Sequence, residues 1–131
     1  MFYVFPYPIT TDDISTKKKS LPMDLTAGVI HQVDVIFQDG CLHQANVQIR
    51  QGDFQIWPTN RQQAMRGNAT VVSFREFYEL APGGSDLYAL IWGDPAIENV
   101  EVIIQIGLLP RKIIQPMNFE ALLEAAAGLE P

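Results

Sequence analysis

The stretch VIHQVDVIFQDGCLHQANVQIR, residues 29–50, decides the fold, because its apolar residues recur with a period of two. In an extended chain its first half groups Val29, His31, Val33, Val35 and Phe37 on one face and Ile30, Gln32, Asp34 and Ile36 on the other. Its second half sets Ala45, Val47 and Ile49 against Gln44, Asn46, Gln48 and Arg50. The outward amides are typical of a half-exposed strand. Asp39-Gly40 is a hairpin signal, so the stretch predicts two paired antiparallel strands.

The same period of two returns in four later stretches, which predict strands at 54–57, 69–80, 87–92 and 100–109. In the last of them one face carries Val100, Val102, Ile104, Ile106 and Leu108. Turn signals separate the stretches, and GDPAIEN at 93–99 predicts a second hairpin. Seven to eight short strands at this spacing predict an all-β fold, an antiparallel β-sandwich of jelly-roll or Greek-key type over residues 23–110.

Two segments flank the predicted sandwich. Residues 1–22 are expected to form an extended N-terminal arm and linker, and residues 111–131 a C-terminal tail. Asn118 as N-cap and Gly128 past the last turn predict a short helix in the tail. The aromatic tip of the arm either pairs as an edge strand on its own domain or reaches onto a neighbouring copy.

Composition and charge limit the classes of function. The chain has 131 residues, 47% hydrophobic and 18% charged, which fits one globular domain. Its net charge of −6 is uneven, since residues 1–75 hold six acids and seven bases and residues 76–131 hold nine acids and two bases. An acidic chain without a basic stripe is a poor partner for nucleic acid. The asymmetry permits head-to-tail contact between copies.

The N-terminal sequence gives no sign of targeting. MFYVFPYPIT lacks a basic region and a cleavage site, and Pro6 and Pro8 interrupt it. No stretch of the chain approaches the roughly 20 apolar residues of a membrane helix. We therefore expect a soluble protein with no signal peptide, no transmembrane segment and no membrane partner. The compartment stays open.

Sequence motifs for catalysis are missing. The chain contains no nucleophile elbow, phosphate-binding loop, dinucleotide fingerprint or zinc-protease motif. Cys41 and His43 are two residues apart and face the same side of an extended chain, but a zinc site needs three or four ligands. Only His31 and scattered acids are left to complete such a site. We expect no enzymatic activity, no cofactor and no metal ion.

A loop of amides and arginines without acids follows the strand predicted at 54–57. Trp57, just before Pro58, either closes the core or forms a platform on which a sugar stacks. In the second case the predicted ligand-binding residues are Trp57, Asn60, Arg61, Gln62, Gln63 and Arg66. The loop also suits contact between copies, since amides and arginine make adaptable interfacial hydrogen bonds.

The general build resembles small structural proteins that assemble by arm exchange, such as virus or phage capsid, decoration and tail components. The expected function is that of a non-enzymatic assembly protein, which forms a homo-oligomer or joins a larger protein assembly. The predicted contact residues are Phe2, Tyr3, Val4, Phe5, Tyr7, Phe119, Leu122 and Leu123. The alternative is a β-sandwich module that binds a carbohydrate or another small ligand through the amide loop.

Overall fold

The computed structural model describes residues 1–81 and 86–110 of the chain. The described residues form eight β-strands and no helix. The strands are β1 (Phe2–Ile9), β2 (Lys19–Pro22), β3 (Gly28–Phe37), β4 (Ala45–Gln51), β5 (Phe54–Trp57), β6 (Thr70–Leu80), β7 (Leu87–Gly93) and β8 (Val100–Pro110). The helix predicted in the tail lies outside the described residues, as do Phe119, Leu122 and Leu123.

The strands form two four-stranded sheets that enclose one core. Sheet A has the strand order β1-β8-β3-β6, and sheet B has the order β2-β7-β4-β5. Every pair of neighbouring strands is antiparallel. The predicted antiparallel β-sandwich is therefore confirmed.

The chain crosses from one sheet to the other at every connection except the one between β4 and β5. The hairpins predicted at Asp39-Gly40 and at 93–99 are therefore wrong, since β3 and β4 lie in different sheets, as do β7 and β8. Alternation determines which side chains face the core, but it does not determine which strand is the neighbour. Asp39-Gly40 does lie in a tight turn, in which Cys41 N–H donates to the Gln38 carbonyl at 3.2 Å. That turn leads into the opposite sheet.

The core lies between the two sheets and takes alternate side chains from both. The five residues predicted to share one face of β8 are all buried: Val100, Val102, Ile104, Ile106 and Leu108. Ala45, Val47 and Ile49 of β4 face them from sheet B and are 0% exposed. Burial of one such aliphatic side chain stabilises the fold by about 1.5–3 kcal/mol. The central strands therefore hold the edge strands, which carry the surfaces described below, in position.

A β-bulge at His31 interrupts the alternation predicted for β3. Ile30 and Gln32 pair with consecutive residues of β8, so His31 between them has no partner on that strand. Ile30 and Val33 belong to the core, whereas the ring of His31 meets the ring of Phe2 at 6.3 Å between centroids. The predicted grouping of His31 with Val33 is therefore wrong, because one extra residue reverses which side chains face the core.

The first residues of the chain belong to the sandwich. Residues 2–9 pair with residues 100–107 of β8 in an uninterrupted antiparallel register, and Lys19–Pro22 pair with β7. Of the two arrangements that the sequence leaves open for the aromatic tip, pairing on its own domain is the one in this structure. The segment 1–22 thus differs from the expected separate arm, because its inward aromatic side chains pack against the core.

β1 is an edge strand, and proline blocks part of its free edge. Met1 exchanges two backbone hydrogen bonds with Leu108, of 2.9 and 2.7 Å. Every second residue from Met1 onward therefore directs its N–H group toward β8. Pro6 and Pro8 occupy the other positions, where the N–H group would face outward. A neighbouring strand would find no donor along the second half of this edge.

Candidate functional site

The amide-rich loop after β5 is held in shape by the side chain of Gln55. Its Nε2 donates to the backbone oxygens of Pro58 at 2.7 Å, Asn60 at 3.0 Å and Gln63 at 3.3 Å. Its Oε1 accepts the backbone N–H of Gln62 at 3.3 Å, at a residue whose backbone is left-handed with φ 69°. A residue other than glycine seldom adopts this conformation without support. Gln55 supplies that support.

A second set of contacts joins the later part of the loop to β4. Met65 exchanges two backbone hydrogen bonds with Val47, of 2.8 and 3.0 Å, and Gln48 Nε2 donates to the Gln63 carbonyl at 2.8 Å. Asn46 and Gln48, predicted to face solvent, are only 2% and 4% exposed. That prediction is wrong because both amides are used inside the fold, where a buried polar group needs a hydrogen-bond partner.

A groove of about 290 Å³ lies beside this loop at the β4–β5 hairpin, lined by Arg50, Asp53, Phe54, Gln55, Arg61 and Gln62. Arg50 is held in place, since its Nη2 donates to the Asp53 carbonyl at 3.0 Å and its Nε to the Tyr88 hydroxyl at 3.3 Å. Arg61 is exposed, and within the described residues its guanidinium has no hydrogen-bond or ion-pair partner. The ring of Phe54, 58% exposed, supplies the apolar surface.

The groove suits a small polar ligand that carries a negative charge. The guanidinium of Arg61 matches a carboxylate or phosphate in geometry. The amide of Gln62 can exchange hydrogen bonds with hydroxyl groups, and the ring of Phe54 can pack on an apolar ligand face. The lining residues include no serine, cysteine or histidine. The arrangement can bind and orient a ligand, and Asp53 is the one carboxylate in its lining.

The structure brings two of the predicted ligand-binding residues, Arg61 and Gln62, into this groove. The side chains of Asn60, Gln63 and Arg66 are exposed but do not line it. Sequence reasoning missed the lining residues Arg50, Asp53, Phe54 and Gln55. The sequence did contain one indication: Phe54 directly follows the turn at residues 51–53. A side chain at the end of a strand, next to a turn, is poorly covered by the core and can be exposed.

Trp57 lies away from the groove, at the edge of the core. Its side chain is 5% exposed, and its ring centroid lies 5.5 Å from that of Phe74 and 5.6 Å from that of Tyr78. Its Nε1 donates to the Glu76 carboxylate at 3.1 Å. An indole enclosed in this way presents no free face on which a sugar ring can stack. It instead lines an apolar cleft of about 270 Å³ between the end of β5 and β6.

The arm residues predicted to contact other copies fall into two groups. Tyr3, Phe5 and Tyr7 pack against the core of their own chain. Phe2 and Val4 face outward and are 65% and 54% exposed. Only the second group is therefore placed to contact another molecule without opening the fold.

The opposite edge strand of sheet A also exposes apolar side chains. Val71 and Phe77 of β6 are 51% and 72% exposed. On the outer face of the sheet Val71 lies opposite Ile36 of β3, and Ile36 lies opposite Ile103 of β8. Ile103 in turn lies opposite Pro6 of β1. A row of apolar side chains thus crosses sheet A from one edge to the other.

The titratable groups of the described residues give no sign of a reactive centre. No group of three or more histidine, cysteine or acidic side chains among them could hold a metal ion. Cys41 is 0% exposed, and burial raises the pKa of its thiol, which is the opposite of what activates a nucleophile. Across residues 1–81 and 86–110, no helix has the length and apolar character needed to cross a membrane.

Comparison with protein-family models, with curated proteins and with solved structures finds no match for this chain. A functional inference therefore starts from two surfaces. One is the apolar outer face of sheet A with its two edge strands, which suits contact with protein. The other is the groove at the β4–β5 hairpin, which suits a small ligand.

Proposed function

We propose that the protein is a non-enzymatic structural protein that assembles with copies of itself through sheet A. The observation that carries this proposal is the exposure of apolar side chains on both edge strands of the sheet. These side chains are Phe2, Val4, Val71 and Phe77, each between 51% and 72% exposed. Large apolar patches on a protein surface mark sites of interaction. Contact between copies would remove this surface from water.

The strand order supports a role of this kind. We infer a jelly roll from the orders β1-β8-β3-β6 and β2-β7-β4-β5, because such folds build two sheets of four strands from two Greek keys. Viral capsid domains and lectins are among the proteins built in this way. A virion-type component, such as a capsid, decoration or tail protein, is the type of assembly that we propose. Since a fold does not determine a function, the exposed surface remains the stronger support.

The proposed contact does not require exchange of the N-terminal strand. β1 pairs with β8 of its own chain along its whole length, and Pro6 and Pro8 leave half of its free edge without donors. The side chains of Phe2 and Val4 are nevertheless available on the surface. Packing of side chains between copies therefore replaces strand exchange as the mode of assembly.

The mass of the native particle tests this function. We expect light scattering from the full chain to give a mass above the 14.7 kDa of one copy, with rings, shells or filaments in negative-stain images. The double variant Val4→Ser, Val71→Ser is expected to lower that mass. Leu42→Ser is the matched control, because Leu42 is 59% exposed but lies outside both sheets. A monomer at every accessible concentration would contradict the proposal.

A second candidate function is the binding of an acidic carbohydrate in the groove at the β4–β5 hairpin. It is favoured by Arg61, an exposed guanidinium without a partner among the described residues, which shares the groove with the exposed ring of Phe54. The apolar face of a sugar ring would pack on Phe54, and its carboxylate would bind Arg61. The amide of Gln62 would bind hydroxyl groups.

Calorimetric titration with a uronate-containing oligosaccharide and with its neutral counterpart tests this second function. Arg61→Ala is expected to weaken binding of the acidic sugar by about tenfold or more, since it removes a charge-assisted hydrogen bond. Arg66→Ala makes the same change at an exposed arginine that does not line the groove. Equal affinities of the two variants, or no preference for the acidic sugar, would exclude the groove as its site.

A further inference from the structure

We propose that β6 of one copy pairs antiparallel with β6 of a second copy, so that two copies of sheet A form one continuous sheet. This inference rests on the proposed self-assembly and names the surface through which the first contact is made. Three observations lead to it: the protection of the other free edges, the side chains along β6, and the register that their charges allow.

Three of the four free edges of the sandwich carry a feature that hinders strand addition. The β1 edge has Pro6 and Pro8 where donors are needed. β2 spans only Lys19–Pro22 and includes a lysine and a proline. β5 spans only Phe54–Trp57, and the loop after it continues the pairing with β4 through Met65. Short strands, lysine, proline and covering loops are the means by which natural sheets protect an edge.

β6 is not covered by any loop in the described part of the chain, although its pairing with β3 shifts register at Glu76 and Phe77, opposite His31. It runs for 11 residues, Thr70–Leu80, without a proline or a lysine. It stands at the edge of sheet A with β3 as its neighbour. Phe77, 72% exposed, is the most exposed large apolar side chain in the described part of the chain. A long edge strand of this kind is a template for pairing with another chain.

The charges on β6 favour one register for a symmetric pair. Arg75, Phe77 and Glu79 are exposed, whereas Phe74 and Tyr78 pack against the core. Glu76 is exposed as well, but its carboxylate accepts the Trp57 Nε1–H on the inner side of the strand. If a two-fold axis perpendicular to the sheet passes through Phe77, then Arg75 lies opposite Glu79 of the partner subunit, and the same pair forms again on the other side of the axis. Opposite charges and aromatic rings in directly opposed positions both stabilise an antiparallel pair.

The registers centred on Arg75 and on Glu76 are less favourable. An axis at Arg75 sets two arginines against each other, and an axis at Glu76 sets two carboxylates against each other, which is destabilising. An axis between two residues sets inward side chains opposite outward ones, and the pleat of a continuous sheet does not allow this. The register centred on Phe77 is the one in which Arg75 and Glu79 meet.

Cysteine substitution tests this register directly. Phe77→Cys places two thiols opposite each other at the axis, with Cα atoms about 4.5–5.5 Å apart, which a disulfide can span. We expect oxidation with copper phenanthroline to give a covalent dimer on a non-reducing gel. Ser73→Cys is the matched control, because it would stand about 26 Å from its copy. The native Cys41 is buried. A dimer formed by Ser73→Cys and not by Phe77→Cys would overturn the register.

Variants that reverse the charge at position 75 or 79 test β6 pairing separately from self-assembly through another surface. Arg75→Glu or Glu79→Arg alone places like charges opposite each other at two symmetric positions, and we expect each to weaken association by about tenfold or more. The double exchange is expected to restore association. Arg66→Glu on the exposed loop is the matched control, and circular dichroism checks that every variant folds.

The outcomes distinguish β6 pairing from self-assembly as such. If the unmodified chain assembles but the single exchanges leave its mass unchanged, then β6 pairing is wrong and self-assembly stands. If the unmodified chain is a monomer, both fall. If the single exchanges reduce the mass and the double exchange restores it, the pairing of Arg75 with Glu79 of the partner subunit is established.

Discussion

Burial separates two aromatic residues that lie three positions apart in β5. Trp57 is 5% exposed and Phe54 is 58% exposed. Trp57→Ala leaves a cavity and removes the partner of Glu76, so we expect the free energy of unfolding to fall by about 3–5 kcal/mol. Phe54→Ala removes a surface ring, so we expect a change of at most about 0.5 kcal/mol. Urea unfolding followed by circular dichroism measures both, and equal losses would contradict the assignment of Trp57 to the core.

The contact between Tyr7 and Asp13 makes stability depend on pH. The Tyr7 hydroxyl donates to Asp13 Oδ2 at 2.7 Å, and Asp13 is 6% exposed. Burial, and after it the bond to Asp13, raises the pKa of Tyr7 above its ordinary value. Above about pH 10 the unfolded chain therefore loses a proton that the folded chain keeps. The contribution of this group to stability is complete below that pH and decreases as pH rises.

Tyr7→Phe tests this pH dependence. The variant is expected to lose about 1–3 kcal/mol at neutral pH, because Asp13 loses a donor inside the fold. It is also expected to show a smaller decline in stability between neutral and strongly alkaline pH than the unmodified chain. Urea midpoints measured across this range give both quantities. A decline of unchanged size in the variant would show that Tyr7 is not the group responsible.

The strands themselves could largely be predicted from the sequence, while their neighbours could not. Alternation is a local property, so it identified the buried face of β8 from Val100 to Leu108 correctly. Pairing is a property of the whole chain, and Asp39-Gly40 forms the same kind of tight turn whether the next strand returns beside β3 or crosses the core. The bulge at His31 was equally hidden, because one extra residue leaves no mark in the pattern.

The candidate groove could be predicted only in part, for a related reason. Arg61 and Gln62 belong to a loop whose composition is conspicuous in the sequence. Arg50 and Phe54 are ordinary residues of two strands, and only the β4–β5 hairpin brings them beside that loop. The role of Gln55 was also hidden, since an outward amide on a strand normally faces solvent.

The side-chain amide of Gln55 holds the loop after β5 in its conformation through hydrogen bonds to the loop backbone. Gln55→Glu keeps the shape of the side chain but replaces the donor to three backbone carbonyls with an anion. We expect the free energy of unfolding to fall by about 1–3 kcal/mol and amide exchange in residues 58–67 to become faster. Gln63→Glu makes the same change in charge on an exposed side chain. Similar exchange rates in both variants would show that the Gln55 amide does not hold the loop in place.

The strand β1 is expected to be required for folding. Removal of residues 1–9 uncovers the edge of β8 and takes Tyr3, Phe5, Tyr7 and Ile9 from the core. We therefore expect the truncated chain to lose its cooperative thermal transition, as measured by circular dichroism. An exchangeable arm would behave differently, since its loss would lower the mass of the assembly and leave the sandwich folded. That second outcome would contradict the structural role given to β1.

On the scale of the whole molecule, folding and association become a single equilibrium if copies join through sheet A. Each copy carries a net charge of −6, so copies repel one another at long range. The attraction between them must therefore come from short-range contacts, of which the apolar side chains and charge pairs of β6 are the proposed source. A partner that binds only the folded chain stabilises it by mass action.

This linkage predicts that the thermal midpoint depends on protein concentration. For a dimer that dissociates as it unfolds, each tenfold rise in concentration is expected to raise the midpoint by about 2–4 °C. In Arg75→Glu, which weakens the proposed pairing, the midpoint is expected to be lower at each concentration over the same range. Scanning calorimetry of both chains at a series of concentrations measures the effect. A constant midpoint for the unmodified chain, together with a monomeric mass, would show that folding does not depend on a second copy.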